Sequence, residues 1–356
     1  MPTVSAPTSV LVTGANGYLG LWIVRALLER GYSVKGAVRS RTIADTISRF
    51  IQDKYPEQAA KFRCVLVPDI TVDGAFDDAV TDVSAVIHTA SPVLLAEEDP
   101  DSCIKPAVGG TVSILHSVLK YGTHVKRVII TSSIAAVFST YGPSGLYTEE
   151  MWNDDAVKTV REQGRDAPGD LKYAASKVLS EKAHLPAAWE FVHDHKDDIN
   201  FDLCTVLPSW VMGPLPRDLS SPSEMGSSPR HLYDQLFAVP APPRREPRCF
   251  NYVDVHDVVD VHVRALEVEA AGRERILVSS HVCTWQDWLD AAKALSVLPK
   301  LDKKDPLAEG DYPPHPTSSN EKAKRLFNME FKTLPETFKE VYEQWSALGW
   351  LAHLEH

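Results

Sequence analysis

Cysteine is scarce in this chain of 356 residues, and what there is of it is scattered. The five cysteines, Cys64, Cys103, Cys204, Cys249 and Cys283, are odd in number, far apart and without a CxxC pair. Such spacing offers neither a disulfide framework nor a zinc site, and it fits a reducing, cytoplasmic setting. Long apolar runs are also missing: none approaches the roughly 18 residues that span a bilayer, so no membrane partner is expected. The polar stretch Met1 to Ser9 lacks the basic and apolar regions of a secretory signal and reads as a short disordered lead-in. Positive charge is in deficit, with 37 Lys and Arg against 48 Asp and Glu and a net charge of −11. Nucleic-acid binding needs clustered cations to replace counterions, so no nucleic-acid partner is expected. The nearest thing to a basic cluster, Arg244, Arg245 and Arg248, reads as a solvated loop. No hydrolase elbow, phosphate-binding P-loop or metal cluster is present. His193 and His195 read as a solvated helix end, and His256 and His262, six apart, as structural.

What the chain does contain is alternation. Apolar runs of β type at Val10–Thr13, Ser33–Val38, Arg63–Val67, Val83–His88 and Val125–Thr131 are interleaved with amphipathic stretches such as Tyr18–Arg30 and Arg41–Tyr55. That pattern specifies βαβ units and an α/β fold with a Rossmann-type doubly wound parallel sheet. Further strands are expected at Phe201–Leu207 and Arg275–Ser279, and helices at Val253–Glu269, Trp285–Leu295 and, interrupted near Asn328-Met329, Glu321–Leu348. The expected division is a nucleotide-binding domain, 8–207 with 248–282, and a smaller C-terminal substrate lobe, 208–247 with 283–356. The smaller lobe is expected to close over the edge of the sheet where such folds bind ligands.

The first strand runs into Thr13-Gly14-Ala15-Asn16-Gly17-Tyr18-Leu19-Gly20 and then into a helix. Glycines there permit a tight turn and close backbone approach, and the helix N-terminus offers free N–H groups to a pyrophosphate. The plain alternative is a sharp βα turn; the strand before and the helix after favour the dinucleotide. Gly14, Asn16, Gly17, Tyr18 and Leu19 are therefore candidate cofactor residues. A site for NAD usually carries an acid near the end of the second strand. Here stand Val38-Arg39-Ser40-Arg41, so Arg39 suits the 2′-phosphate of NADP(H) unless it is only a solvated loop charge. Asp69 and Ile70, after the third strand, either bracket the adenine or simply end a strand.

Tyr173-Ala174-Ala175-Ser176-Lys177 puts a phenol and an ammonium four apart, on one face of a helix. An ammonium held close to a phenol favours the phenolate, which suits the pair to proton exchange with a carbonyl oxygen. The strand end Thr131-Ser132-Ser133 adds hydroxyls at the ligand-binding edge. Trp210, Met212, Phe138 and Tyr141 either line an apolar pocket or belong to the core, with Trp210 the better pocket candidate.

With these residues in view, the chain resembles the extended short-chain dehydrogenase/reductases over nearly its whole length. Within them it is similar to fungal NADPH-dependent aldehyde and methylglyoxal reductases and, more distantly, to plant dihydroflavonol reductases. The resemblance is carried by Val12 to Gly17, Val67-Pro68-Asp69-Ile70, His88 to Pro92, Pro106-Ala107-Val108, Ile114 to Ser117, Thr131 to Ser133, Tyr173 to Lys177, Ala188 to Phe191, Gly213-Pro214 and Val253 to Val255. It implies that Tyr173 protonates the substrate oxygen, that Ser133 hydrogen-bonds it, with Ser132 as the fallback, and that Lys177 supports the tyrosine and contacts the nicotinamide ribose. It places Thr89, Ala90 and Ser91 in the loop beside the cofactor and Pro208 with Ser209 in the turn under the nicotinamide. The implied partner is a small-molecule carbonyl compound, reduced with NADPH; a sugar-nucleotide epimerase retaining NAD and a non-catalytic NADP sensor are the rivals. Relatives occur as monomers and homodimers, which leaves the oligomeric state open. Two departures stand out: Gly109 before Gly110-Thr111, where relatives commonly carry Asn, and an apparent insertion, His184 to Ala187, whose Pro186 should kink or end the active-site helix.

Overall fold

The computed structural model describes residues 3–91, 99–182, 200–238, 249–295 and 315–355. Pro92, His184 to Ala187, the motif Ala188 to Phe191, His193, His195, the Arg244 to Arg248 cluster and part of the Pro-rich stretch lie outside the described residues.

Seven parallel strands form the central sheet in the order Arg275–Val278, Asp202–Pro208, Arg127–Thr131, Ala85–His88, Ser9–Thr13, Ser33–Val38, Phe62–Leu66. Chain order runs outward in one direction from Ser9–Thr13 through the second and third strands, then resumes on its other side at Ala85–His88. The switch point therefore lies between those two strands, where open α/β sheets bind ligands beyond the strand C-termini. Central strands are apolar throughout because helices cover both faces: Val10, Leu11, Val12, Val86 and Ile87 are all fully buried.

The helices over the sheet are Tyr18–Glu29, Arg41–Lys54, Asp101–Tyr121, Gly169–Lys182 and Val255–Glu267. The last begins two residues later than its apolar periodicity predicts. Val253 and Asp254 continue the strand Cys249–Asp254, pairing with Val211 and Met212, and the Asp254 carboxylate caps the helix by accepting the His256 N–H at 2.7 Å. In the tail, helices Glu321–Phe327 and Leu334–Ala347 are separated where Asn328 takes a left-handed backbone, φ 43°, and Thr333 with Glu336 forms a capping box.

A second, aromatic-rich core sits beside the sheet. Trp285, Trp288, Trp345, Phe237, Phe250, Phe338 and Tyr252 are all fully buried there, around a three-stranded sheet of Trp210–Met212, Cys249–Asp254 and His281–Thr284. The first helix holds the chain that enters this region: Tyr18 Oη, Trp22 Nε1 and Arg25 Nη1 donate to the carbonyls of Gly213, Pro214 and Pro216 at 3.0, 3.0 and 2.7 Å. From the other side, the Gln344 amide pairs with both the N–H and the carbonyl of Leu215. On the sheet itself, the buried Arg127 guanidinium makes a bidentate pair with Asp202 at 2.6 and 2.8 Å and donates to the Val268 carbonyl, closing the end of the helix Val255–Glu267.

Candidate active site

The glycine turn occupies the switch point. Gly14 has φ 64°, a left-handed backbone that side chains resist, and a Cβ there would stand 3.0 Å from Thr89 Oγ1. At Gly20 the pressure is steric: a Cβ would meet the Gly14 carbonyl oxygen at 2.2 Å. The helix that follows has Gly17 at its N-cap, with no side-chain cap and no acidic residue in its first turn. Its N-terminal amides and positive dipole end are thus left for an anionic ligand, so the turn fits the dinucleotide expected of it. Within this stretch Tyr18 is otherwise occupied, since its hydroxyl is committed to Gly213.

Thr13 joins the turn to the neighbouring strand end. Its carbonyl accepts from Thr89 Oγ1 at 2.7 Å, and its hydroxyl contacts the Ala90 N–H at 3.1 Å and His88 Nδ1 at 2.9 Å. Burial, with the Lys177 ammonium nearby, pushes His88 down to about 3, so its ring is neutral. Further out, Arg39 is exposed at the end of the second strand. Asp69 closes a turn by accepting from the Thr71 N–H and hydroxyl at 2.8 and 2.7 Å, contacts that hold its carboxyl below the usual range. Ile70 packs on Gly110, where a Cβ would stand 2.8 Å from Ile70 Cδ1. Thr71 comes close to Gly109, its Cβ 3.2 Å from a Cβ built there, so the space beside the helix suits the glycine that replaces the commoner Asn.

Tyr173 and Lys177 lie on the helix Gly169–Lys182. Lys177 is buried; its Nζ donates to Ser91 Oγ at 3.0 Å and lies 5.5 Å from the centre of the Tyr173 ring. The two strand-end serines differ in what they do. Ser132 Oγ donates to the Glu181 carboxylate at 2.7 Å, whereas Ser133 Oγ accepts the Ala135 N–H at 3.2 Å, capping a short turn and leaving its own proton to give. A pocket behind Lys177 is lined by His88, Ser91, Thr131, Ser132, Glu181 and Thr205 among others. Pro208 ends its strand in register with Val278, and the buried Ser209 hydroxyl that follows has no hydrogen-bond partner among the described residues.

Of the apolar candidates, Met212 and Phe138 are core and Tyr141 is 69% exposed. Trp210 is half-buried, with its ring against His231 and Phe250. His262 is buried between Thr131 Oγ1 and the Val258 carbonyl, a structural bridge. His256 joins Asp254 and Glu340 in a cluster whose candidate ligand atoms lie within 4.8 Å, a convergence the sequence spacing does not reveal; Lys332 is ion-paired to Glu340 there. Sequence reasoning also passes over the individual roles of His88 and Glu181. For Glu181 one signal exists, its place one helical turn after Lys177; for His88 there is none beyond its motif.

Comparison with known proteins identifies the family. The pattern of the 3-beta hydroxysteroid dehydrogenase/isomerase family matches residues 11–266. An NADPH-dependent methylglyoxal reductase of Saccharomyces cerevisiae, GRE2, is 32% identical over 94% of this chain and 97% of its own. A cinnamoyl-CoA reductase of Medicago truncatula is also 32% identical, over 94% of each chain. The crystal structure of the yeast methylglyoxal/isovaleraldehyde reductase Gre2 complexed with NADPH superimposes with a TM-score of 0.82 at 30% identity, covering 96% of this chain and 99% of that one. The chain therefore belongs to the 3-beta hydroxysteroid dehydrogenase/isomerase family and is an oxidoreductase of the extended short-chain dehydrogenase/reductase type.

Proposed function

We propose that this protein is an NADPH-dependent reductase that converts an aldehyde or ketone to an alcohol. The observation that carries the reading is the seating of Lys177: a buried ammonium, bonded to Ser91 of the loop beside the glycine turn and facing Tyr173 on the same helix. When bound, the reduced nicotinamide supplies the hydride. Tyr173 gives the substrate oxygen its proton, Ser133 donates a hydrogen bond to that oxygen, and Lys177, facing the Tyr173 ring, holds the ribose. The cofactor's pyrophosphate is assigned to Gly14, Asn16, Gly17 and the amides of Tyr18 and Leu19. Arg39 is assigned to its 2′-phosphate, Asp69 and Ile70 to its adenine, and Thr89, Ala90, Pro208 and Ser209 to its nicotinamide end. We assign 8–207 with 248–282 to this nucleotide-binding unit and 208–247 with 283–356 to a substrate lobe. The yeast relative's printed activity on methylglyoxal and isovaleraldehyde supports a small carbonyl substrate. No observation favours the epimerase, whose expected acid after the second strand is replaced by Arg39.

The test is NADPH and NADH oxidation in parallel with methylglyoxal, isovaleraldehyde and acetophenone. Turnover should favour NADPH, and Tyr173→Phe should lower kcat by about 10²–10⁴-fold. Undiminished turnover in Tyr173→Phe, or a preference for NADH, would overturn the reading.

A further inference from the structure

We infer that Glu181 is a positioning residue for this reaction: its buried carboxylate ties the strand end that carries Ser133 to the helix that carries Tyr173 and Lys177. The inference rests on the roles proposed above for those three residues.

Glu181 lies four residues after Lys177, on the same helical face, and is 4% exposed. A carboxylate buried so deeply is costly unless every lone pair finds a partner. Here each oxygen does. Oε2 accepts from Ser132 Oγ at 2.7 Å; Oε1 accepts from Arg275 Nε at 2.7 Å and from Thr205 Oγ1 at 3.3 Å. The carboxylate thus touches two adjacent strands of the sheet, those holding Thr205 and Arg275, and the residue just past the end of the next, Ser132 after Arg127–Thr131.

Arg275 is itself held in place. Its guanidinium lies 3.6 Å from the centre of the Trp152 ring, and Nη1 donates to the Glu149 and Met151 carbonyls. The Glu149 carboxylate returns to the Leu277 N–H at 3.1 Å. Ser132 is fixed by its backbone too, its N–H donating to the Val206 carbonyl at 2.8 Å. The helix therefore meets a braced anchor one residue from Ser133, and sliding or turning the helix would break the Ser132 bond.

Apolar side chains of similar volume could fill the space with less desolvation, but without a directional bond to one serine. Proton transfer and hydrogen bonding at a carbonyl demand that direction, since displacing a reacting group by about 1 Å can cost about 10²-fold in rate. That is the use this geometry gives to an ion pair that stability alone does not require.

Two paired replacements separate positioning from stability. In Glu181→Gln/Arg275→Gln the amide still accepts from Ser132; in Glu181→Met/Arg275→Met nothing does, and neither variant leaves a charge stranded. The measurements are melting temperature, NADPH Kd by fluorescence, and kcat and KM with whichever of methylglyoxal, isovaleraldehyde and acetophenone turns over fastest. The Gln pair should keep kcat within about three-fold of the parent, its Ser132 acceptor being intact. The Met pair should lose about 10–100-fold in kcat while KM and NADPH Kd move by less than about three-fold and the melting temperature does not fall below that of the Gln pair. Equal kcat in the two variants would reduce the pair to a structural prop and overturn the inference. Should the Met pair fail to fold, Ser132→Ala removes the same bond from the other side; it should lower the melting temperature, since Glu181 Oε2 loses its partner, and lower kcat about ten-fold with KM and NADPH Kd within about three-fold, and an unchanged kcat would count equally against the inference. If Tyr173→Phe turns over undiminished, the reading of the centre itself fails. If Tyr173→Phe is dead and the Met pair fully active, only the positioning role is lost.

Discussion

Arg39 follows directly on the second strand, exposed, with no hydrogen bond or ion pair among the described residues, while its neighbour Ser40 caps the next helix by accepting the Ile43 N–H. A guanidinium so placed can meet a 2′-phosphate without first leaving another partner, and a charge-assisted pair of that kind is worth about 1.5–3 kcal/mol. Arg39→Ala should therefore raise KM for NADPH by about 10–100-fold and leave KM for NADH within about two-fold. Parallel saturation curves for the two cofactors check this, and an equal effect on both would remove Arg39 from phosphate recognition. At this scale the sequence was legible wherever chemistry follows local spacing. Tyr173 and Lys177, four apart, share a helix face however the rest of the chain folds. Glu181 was not legible, because its partners Ser132 and Arg275 lie 49 and 94 positions away and only the sheet's strand order brings them to it.

Among the elements, the turn into the first helix is the most constrained. Gly20 lies in the first turn of the helix, yet its Cα faces the Gly14 carbonyl so closely that Ala must push the turn out of shape. Gly20→Ala should weaken NADPH binding by about ten-fold or more while the protein still folds, because the proposed role of the turn's glycines is the approach of the pyrophosphate together with close helix–strand packing. Isothermal titration with NADPH decides it; unchanged affinity would show that the turn relaxes freely. The strands and helices of the central sheet were readable from apolar runs and 3.6-residue periodicity. The helix predicted from Val253 instead starts at Val255, because periodicity cannot see that Val253 and Asp254 are claimed by a neighbouring strand. The short strands Gly145–Tyr147 and Pro316–Ser318, three residues each and paired in parallel, left no pattern long enough to read.

Over the whole molecule, buried titratable groups set the response to acid. His88 and His262 ordinarily titrate at 6.5, and burial pushes them down to about 3 and about 4. As pH falls from about 6.5 toward 4 the unfolded chain binds protons that the folded chain refuses, so each histidine removes about 1.4 kcal/mol of stability per pH unit. Asp257 acts oppositely. Burial, with the Asp254 carboxylate beside it, raises it to about 7, so over that range the folded chain binds the proton and gains from it. These three groups together give a loss of about 1.4 kcal/mol per pH unit below pH 6.5, and His281 and His315, also pushed down by burial, add to it. Asp257→Asn, whose amide can still accept the Lys332 N–H, should stabilise the protein at pH 8 and make the acid loss steeper by about 1.4 kcal/mol per pH unit. Urea midpoints at pH 8, 6 and 5 check both slopes; a parent midpoint that does not fall with pH would contradict the balance. By itself the sequence determined the α/β class, the succession of the main strands and helices along the chain, the glycine turn between the first strand and helix, and the shared helix face of Tyr173 and Lys177, because each depends on residues near one another along the chain. Only the tertiary structure decided what each strand-end serine bonds to, which groups meet the Glu181 carboxylate, and which histidines burial pushes down, because burial and pairing are properties of neighbours that the chain supplies from far away.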